Sequence, residues 1–526
     1  MESSQISFPE RFNVAEHFVD RNVTLGRGEK TAIYYGEEKI TYREILENVN
    51  RTGNALKSLG IGLEDRVLLL LQDCPEFAYS FFGAIKIGAV PIPTNTLLKP
   101  GDYRYLLNDS RAKALVVSHE LLPAILEVAK DLIYLKHILV VGDPAINTIS
   151  FNNLIKDSSK DLTAADTSPD DPAFWLYSSG TTGFPKGAVH LHHDMVYCAE
   201  NYARGVLGIH ENDITFSVPK LFFAYGLGNG LYFPFHVGAS AVLSPQRPTP
   251  EHVFEVISRY KPTLFFGVPT SYASLLQLEG AEKKYRLGSV RNCVSGGEAL
   301  PPSIFKQWKE KFGLEILDGI GSTEILHIFI SNRPGKAKAG SSGLLVPGYE
   351  ARIVDLGGNL LHQGAVGILM IKGESVASYY WNKHQKTKET FIGEWINTGD
   401  YYYQDEEGFF VYVGRGDDMI KAGGIWVSPI EVENALMSHP AVLECGVVGC
   451  QDDEGLIKPK AYVVFKPNIT PTASLLEEIK LHVKSSIAPY KYPRWIEAVD
   501  ELPKTATGKI QRFKLRQMDQ VKASGV

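Results

Sequence analysis

The stretch Tyr177-Ser-Ser-Gly-Thr-Thr-Gly-Phe-Pro-Lys-Gly187 concentrates the residue types that hold an anion. Small residues let a backbone curl until several N–H groups face one point, and Ser and Thr hydroxyls add donors. Lys186 adds a positive charge on a long side chain. The chemistry this serves is phosphate binding, although Gly/Ser/Thr clusters are also what surface turns are made of. It is not the loop GxxxxGK[ST], which needs Gly directly before Lys, because Pro185 stands there. A second cluster, His190-Leu-His-His-Asp194, has the residue types of a metal site. Immediate neighbours on a chain rarely converge on one ion and no second ligand cluster accompanies them, so no metal is expected there. Taken singly, an Asp, a Glu or an exposed Lys elsewhere in the chain reads as a solvated surface charge.

The elements that must position such groups alternate between helix and strand throughout, which points to an α/β protein. Ala173-Phe-Trp-Leu176 reads as an apolar strand leading into the phosphate stretch. Thr41-Tyr-Arg-Glu44 is a capping box opening a helix whose Ile45, Val49, Leu56 and Leu59 keep mostly to one face, with Gly60 closing it. Val67–Leu71 reads as a buried strand. Pro301 and Pro302 suit the first turn of a helix carrying Ile304, Trp308 and Phe312 at i, i+4, i+8 and ending at Gly313. The alternation Val366, Ile368, Met370 predicts a strand with one polar face. The last hundred residues read as a separate small unit. Ser428-Pro-Ile-Glu431 is a second capping box, with its helix running to His439-Pro440, and strands follow near Val442–Val448 and Lys460–Phe465. Ser474-Leu-Leu-Glu477 caps a further helix. The boundary falls in Gly414-Arg-Gly-Asp-Asp418, where glycines and charges break the periodicity.

At 526 residues the chain exceeds what one hydrophobic core organises, so two or more domains are expected. A composition of 44% hydrophobic and 22% charged residues is ordinary for a globular protein. The net charge of −6, with Lys and Arg dispersed, argues against a nucleic-acid or acidic-membrane surface. The opening MESSQISFPERF lacks the basic and apolar regions of a secretory signal, and no apolar run is long enough to span a bilayer. Cys74, Cys198, Cys293, Cys445 and Cys450 are scattered, odd in number and form no CxxC, so they read as reduced, mostly buried thiols of a cytoplasmic protein.

The string YSSGTTGFPKG resembles the signature of the AMP-forming adenylating superfamily, which includes acyl-CoA synthetases, carrier-loading adenylation domains and firefly-type luciferases. The resemblance recurs, in order, in Ser295-Gly-Gly-Glu298, Asp318-Gly-Ile-Gly-Ser-Thr-Glu324, Thr398-Gly-Asp400, Gly414-Arg-Gly-Asp-Asp418 and Pro503-Lys-Thr-Ala-Thr-Gly-Lys509, and so covers essentially the whole chain. It implies a large N-terminal α/β domain of several sheets, residues 1–416, binding ATP and the acyl group. A small mobile C-terminal α+β lid, 417–526, would carry the catalytic lysine. Within that pattern Ser178, Ser179, Gly180, Thr181, Thr182, Gly183 and Lys186 would hold the β- and γ-phosphates. Gly297 and Glu298 would line adenine, Asp318 would meet its exocyclic amine, and Gly319 and Ile320 would lie beside it, Ile320 standing where the family usually has a stacking Tyr. Thr323 would contact the α-phosphate, Glu324 would hold Mg²⁺, and Asp400, supported by Arg415, would accept from the ribose hydroxyls. Lys509 would bind both the substrate carboxylate and the α-phosphate oxygen. Asp417 matches the hinge about which the lid rotates between half-reactions, Gly423 and Gly424 would line a pantetheine tunnel, and Lys421 would face the site in the second state. The His190–Asp194 stretch, in this resemblance, only leads into a helix.

Phe223, Ala224, Tyr225, Gly321, His327 and Ile328 match positions that shape the acyl pocket, with Phe223 as an aromatic gate and Tyr225 closing the far end of a narrow slot. Amino-acid-activating relatives carry an Asp beside that gate, and none is present here. A flat uncharged ring fits such a slot, although aromatics at these positions are also what a plain core contains. The segment Lys220-Leu-Phe-Phe-Ala-Tyr-Gly226 and Gly423-Gly-Ile-Trp-Val-Ser-Pro429 look most like benzoate–CoA ligases. The expectation is therefore ATP-dependent activation of benzoate or a close ring carboxylate to acyl-AMP, then transfer to coenzyme A. The partners are small molecules only, with no nucleic acid or membrane, and the chain is a monomer or homodimer. The alternatives are an alicyclic or medium-chain acid, an acyl carrier protein as acceptor, a luciferase-like oxygenase, or a nucleotide sensor without turnover.

Overall fold

The apolar run at Val67 becomes the strand Arg66–Leu70, in which Val67, Leu68, Leu69 and Leu70 are all fully buried. Burial on both faces is what a parallel sheet covered by helices requires. The strand lies in a parallel sheet of order Val90–Pro93, Arg66–Leu70, Ala114–Ser118, His137–Val141, Ile149–Ser150. This computed structural model describes residues 6–178, 185–416, 418–422, 425–452, 456–488, 491–504 and 509–523.

A second, nine-stranded sheet has a parallel centre formed by Ser240–Leu243, Ile214–Ser217, Leu264–Gly267, Asn292–Ser295 and Ile316–Gly321. In such sheets ligands lie outside the carboxyl ends of the strands; Ser295, Gly297 and Glu298 sit at or just beyond such an end, and Asp318 faces Ser295 where the parallel pairing stops. A third, antiparallel sheet pairs Glu350–Val354, Gly367–Lys372, Trp395–Gln404 and Phe410–Arg415. A small antiparallel ribbon joins Pro172–Ser178, Lys186–Leu191 and Tyr379–Tyr380. The strand expected at Ala173–Leu176 is the first of these.

The local signals act through the physics that made them legible. Thr41 Oγ1 accepts from Glu44 N at 3.2 Å, and Glu44 Oε2 accepts from Thr41 N at 2.7 Å, so the helix Tyr42–Ser58 opens on a reciprocal box. The helix Pro302–Phe312 starts at its proline and ends at Gly313 in the left-handed region, with Trp308 fully buried. Three expectations need correction. In the strand Gly367–Lys372 the fully buried face is Leu369 and Ile371, while Val366 lies outside it and is 47% exposed. That face packs into the main core with Ile396 and Tyr402, so the tertiary neighbour overrides the alternation. Ser428 accepts from Glu431 N at 3.2 Å, but the Glu431 carboxylate turns to Lys491 Nζ at 2.6–2.7 Å, leaving a half box, and the helix stops at Met437. The helix Ala473–Ser486 is capped by Thr472, not Ser474, and Glu477 bonds Lys480 instead.

The C-terminal unit has its own sheet, Val442–Gln451, Ile457–Phe465 and Trp495–Ala498. Its apolar clusters draw on residues from Ile420 onward among those described.

Candidate functional site

The chain leaves the sheet end at Asp318, crosses Gly319–Gly321, and makes a single tight turn at Thr323–Ile325. Ser322 Oγ caps that turn by accepting from Ile325 N at 3.2 Å. Leu326 then takes φ 73°, a left-handed value for a branched, fully buried residue. Such a conformation costs about 1–3 kcal/mol and persists only where surroundings impose it. It reverses the chain into the strand Ile328–Ser331, which places Glu324 and His327 on either side of one bend.

Glu324 is half-buried, and its Oε1 accepts from Tyr380 Oη at 2.8 Å and Ser178 Oγ at 2.9 Å. Burial alone would raise this carboxyl, but those hydroxyls and the charge of Lys186 more than offset it and hold it below its ordinary value. Lys186 lies over the Tyr380 ring, 4.5 Å from its centroid. Burial lowers the Lys186 ammonium, with Lys386 and Arg415 repelling it and Glu324 stabilising it. Among the described residues Glu324 has no ion pair at bonding distance. An ionised carboxylate held by neutral hydroxyls, with its charge not consumed by a protein cation, suits a magnesium ion shared with phosphate oxygens.

Asp400 and Arg415 face each other across adjacent strands, with Arg415 Nη1 donating to Asp400 Oδ1 at 3.3 Å. Asp400 is 8% exposed, and burial raises its carboxyl against the opposing charges of Arg415 and Lys509. Asp318 is 6% exposed; its Oδ2 accepts from Leu300 N at 3.3 Å, and Oδ1 is buried without a hydrogen-bond partner among the described residues. Burial pushes Asp318 well above the carboxylate range. An orphaned acceptor there fits an amine donor from a ligand.

Lys509 is exposed and lies within electrostatic reach of both Glu298 and Asp400. Burial raises Glu298, while Lys509, Arg512 and the Ile510 backbone N–H pull the other way. Thus the C-terminal unit stands over the sheet ends with Lys509 toward the carboxylates. Its neighbour Arg512 is locked within that unit, bonding Glu433 at 2.7–2.8 Å.

The acyl residues form an uncharged patch. The Tyr225 and His327 rings are 5.4 Å apart, and Phe233 is 4.4 Å from His327. Close backbone approach makes this packing possible: a Cβ on Gly319 would lie 2.9 Å from Ile328 Cγ2, and one on Gly228 2.5 Å from the His327 ring. His327 Nε2 faces two acceptors, Tyr225 O and Asn229 Oδ1, both at 3.2 Å, and so donates. Burial pushes His327 down to about 3, so it is neutral near pH 7. Phe223 and Ala224 are half-buried at the start of the short helix Ala224–Leu227. Gly321 contacts His327 through the strand pair Gly321–Ile328, and Ile320 is half-buried between Gly319 and Gly321.

Thus Ser178, Lys186, Glu298, Asp318, Glu324, Asp400, Arg415 and Lys509 converge, and Gly297 (φ 90°) adjoins them with Val268. Ser179, Gly180, Thr181, Thr182, Gly183, Asp417, Gly423 and Gly424 lie outside the described residues. Lys421 is placed only as a strand residue paired with Trp426. Sequence reasoning missed Tyr380 and Asn229, whose roles arise from contacts 56 and 98 residues away, with no local period to announce them. Of the three neighbouring histidines, His192 Nδ1 accepts from Val14 N at 3.0 Å, and His190 and His193 face the Asp194 carboxylate at 2.7 and 3.0 Å.

The family described as AMP-binding enzyme matches residues 20–381, and the AMP-binding enzyme C-terminal domain matches residues 431–509. A benzoate–CoA ligase of Thauera aromatica is 52% identical over 513 residues, 97% of each chain. A crystal structure of an anthranilate CoA ligase in complex with anthranoyl-AMP has TM-score 0.95 and 46% identity, covering 100% of both chains. That of a benzoate CoA ligase from Burkholderia xenovorans LB400 has TM-score 0.89 and 46% identity, covering 96% of this chain and all of the other.

Proposed function

Since this chain belongs to the AMP-binding enzyme family, we propose that it converts benzoate, or a close ring carboxylate, to the corresponding CoA thioester in two steps. A carboxylate oxygen attacks the α-phosphorus of ATP and pyrophosphate leaves, giving acyl-AMP. The sulfur of coenzyme A then attacks the acyl carbon and AMP leaves. The observation that carries this reading is the convergence of Lys186, Glu324, Asp400, Arg415 and Lys509, from segments far apart in sequence, within mutual electrostatic reach.

The first step brings an anion to a polyanion, so fixed donors and cations must precede it. Lys186, with the stretch from Ser178, would take the β- and γ-phosphates, and Thr323 the α-phosphate. Asp318 Oδ1 would accept the adenine amine, and Asp400 the ribose hydroxyls. Lys509 would bridge the carboxylate and the α-phosphate oxygen. Glu324 would hold magnesium, which when bound neutralises phosphate charge. Residues 1–416 would form the binding domain and 417–526 the lid, turning at Asp417 so that Gly423, Gly424 and Lys421 serve the second step.

The ring would lie among Phe223, Ala224, Tyr225, Gly321, His327 and Ile328. Because His327 is neutral and no other member ionises near pH 7, the slot suits an uncharged ring. Amino-substituted benzoate is the second reading, favoured by the likeness to the anthranilate CoA ligase. With Mg-ATP, coenzyme A and a panel of benzoate, anthranilate, 4-hydroxybenzoate, cyclohexanecarboxylate and hexanoate, mass spectrometry should find benzoyl-CoA and AMP in equal amounts. Hexanoyl-CoA as the main product would overturn the ring slot. Acyl-AMP without any CoA product would overturn the acceptor.

A further inference from the structure

The strand that leaves the phosphate stretch, Lys186–Leu191, carries His190, fully buried and stacked on Phe174 with centroids 5.2 Å apart. Both its ring nitrogens meet oxygen: Nδ1 is 2.7 Å from Asp194 Oδ2, and Nε2 is 2.8 Å from the carbonyl oxygen of Thr323. A carbonyl can only accept, so Nε2 carries hydrogen and donates to it. Asp194 is fully buried; its Oδ2 also accepts from Leu191 N at 3.2 Å, and its Oδ1 lies 3.0 Å from His193 Nδ1. The ring is therefore oriented by a carboxylate on one side and spends its other nitrogen on the turn that bears Thr323 and Glu324.

That turn is anchored at three successive carbonyls. Thr323 O accepts from His190, Glu324 O from Ala377 N at 2.8 Å, and Ile325 O from Ser375 Oγ at 2.9 Å. Two anchors come from residues 375–377, the stretch that leads into Tyr380. Among the described residues, the hydrogen bond from the strand that carries Lys186 to this turn is His190's, and it spans 133 residues of sequence. The strained Leu326 immediately downstream gives the turn a reason to relax if an anchor is lost.

We propose that His190, oriented by Asp194, is a positioning residue for acyl-AMP formation: it locks the Thr323–Glu324 turn to the phosphate-binding strand, so that both ends of the triphosphate are met by one rigid unit. This rests on the functional reading above. Its action is on the first half-reaction, because the second makes no use of β- and γ-phosphates.

Two isosteric variants separate the bonds. In His190→Gln the amide nitrogen reaches toward the Nε2 position and keeps the bond to Thr323 O, whereas in His190→Asn it occupies the Nδ1 position and loses that bond. His190→Asn should slow acyl-AMP formation from benzoate and Mg-ATP about 10–100-fold, the range for losing a group that orients a metal-site ligand. His190→Gln should lose about tenfold less, the worth of one retained hydrogen bond. Thioester formation from preformed benzoyl-AMP, which keeps only the α-phosphate for Thr323 to meet, should fall less in both. The rise in melting temperature caused by Mg-ATP should shrink in the Asn variant more than in the Gln variant. Asp194→Asn, whose side-chain amide still hydrogen-bonds Nδ1 but without the carboxylate's charge, should fall between them and serves should either His190 variant fail to fold. Equal losses in the Asn and Gln variants, or equal losses in both half-reactions, would overturn the proposal. If the unmodified protein makes acyl-AMP from none of the acids, it is the functional reading that fails, and the Mg-ATP melting shifts still decide the anchor.

Discussion

The two walls of the cleft are built on opposite plans. On the large-domain side three carboxyl groups are tied down within that domain: Glu324 by Ser178 and Tyr380, Asp400 by Arg415, Asp318 by Leu300 N. On the C-terminal side the buried charges satisfy one another internally, Arg512 with Glu433 and Asp418 with Arg516, and Lys509 is presented exposed. From that side Lys509, Arg512 and the Ile510 N–H act on the Glu298 carboxyl. One wall is preorganised; on the proposed reading the other is delivered. Preorganised dipoles need not move when charge develops, while a delivered cation can be withdrawn when the next step needs different surroundings.

The largest test of that contrast removes the delivered group. Lys509→Ala should slow acyl-AMP formation about 10²–10³-fold, the usual loss for a donor to developing charge. Thioester formation from preformed benzoyl-AMP should persist. Rapid-quench measurement of the two half-reactions checks this, and equal loss in both would mean Lys509 belongs to the fixed wall. Next in size is a change within that wall. Tyr380→Phe deletes one of two hydroxyls on Glu324 Oε1 and should slow the first step about tenfold, the cost of one buried hydrogen bond to a charged group. Its mark should be a raised magnesium requirement. An unaltered magnesium titration would detach Tyr380 from the Glu324 centre.

The difference between the walls also explains what could be read in the sequence. The Thr41 box and the Pro302 helix are local patterns, and each folded as its pattern requires. The approach of Lys509, Glu324 and Asp400 to one another was anticipated only through an ordered resemblance of motifs. Tyr380 and His190 were not, because they act on Glu324 and Thr323 across 56 and 133 residues and belong to no local period. The face chosen by Leu369 and Ile371 was likewise set by the core they meet, and Thr472 rather than Ser474 caps its helix because both residues have the chemistry and only the backbone decides.

A smaller effect is expected at the seam between the walls. Lys509, Arg512 and the Ile510 N–H act on Glu298 across the seam where the C-terminal unit stands over the sheet ends. Glu298→Gln should lower the first half-reaction a few-fold, on the order of one ion-pair contribution of up to about 1 kcal/mol, and spare the second. Burial raises Glu298 above its usual value, so its charge is lost as pH falls through that raised pKa, sooner than for a surface glutamate. The unmodified protein should therefore show an acid limb in acyl-AMP formation that the Gln variant lacks. Identical pH profiles would place this attraction outside the closing of the cleft.

The smallest effect compares two helix caps, one on each wall. Thr41 has both bonds of its box, while Ser428 has one, its Glu431 being drawn to Lys491. Thr41→Ala should cost about 1 kcal/mol of local stability, seen as faster amide exchange in the first turn of Tyr42–Ser58, and leave both half-reactions unchanged. Ser428→Ala should cost a similar amount locally, but Ser428 Oγ also donates to Val413 O, on the strand next to Asp400. Loosening that tie frees the C-terminal unit from the fixed wall, so the ratio of the two half-reaction rates should move while total stability barely changes. If Thr41→Ala moves the ratio as much as Ser428→Ala, delivery is a property of the whole chain's rigidity. If Ser428→Ala alone moves it, the seam at Val413–Ser428 is where the two plans meet.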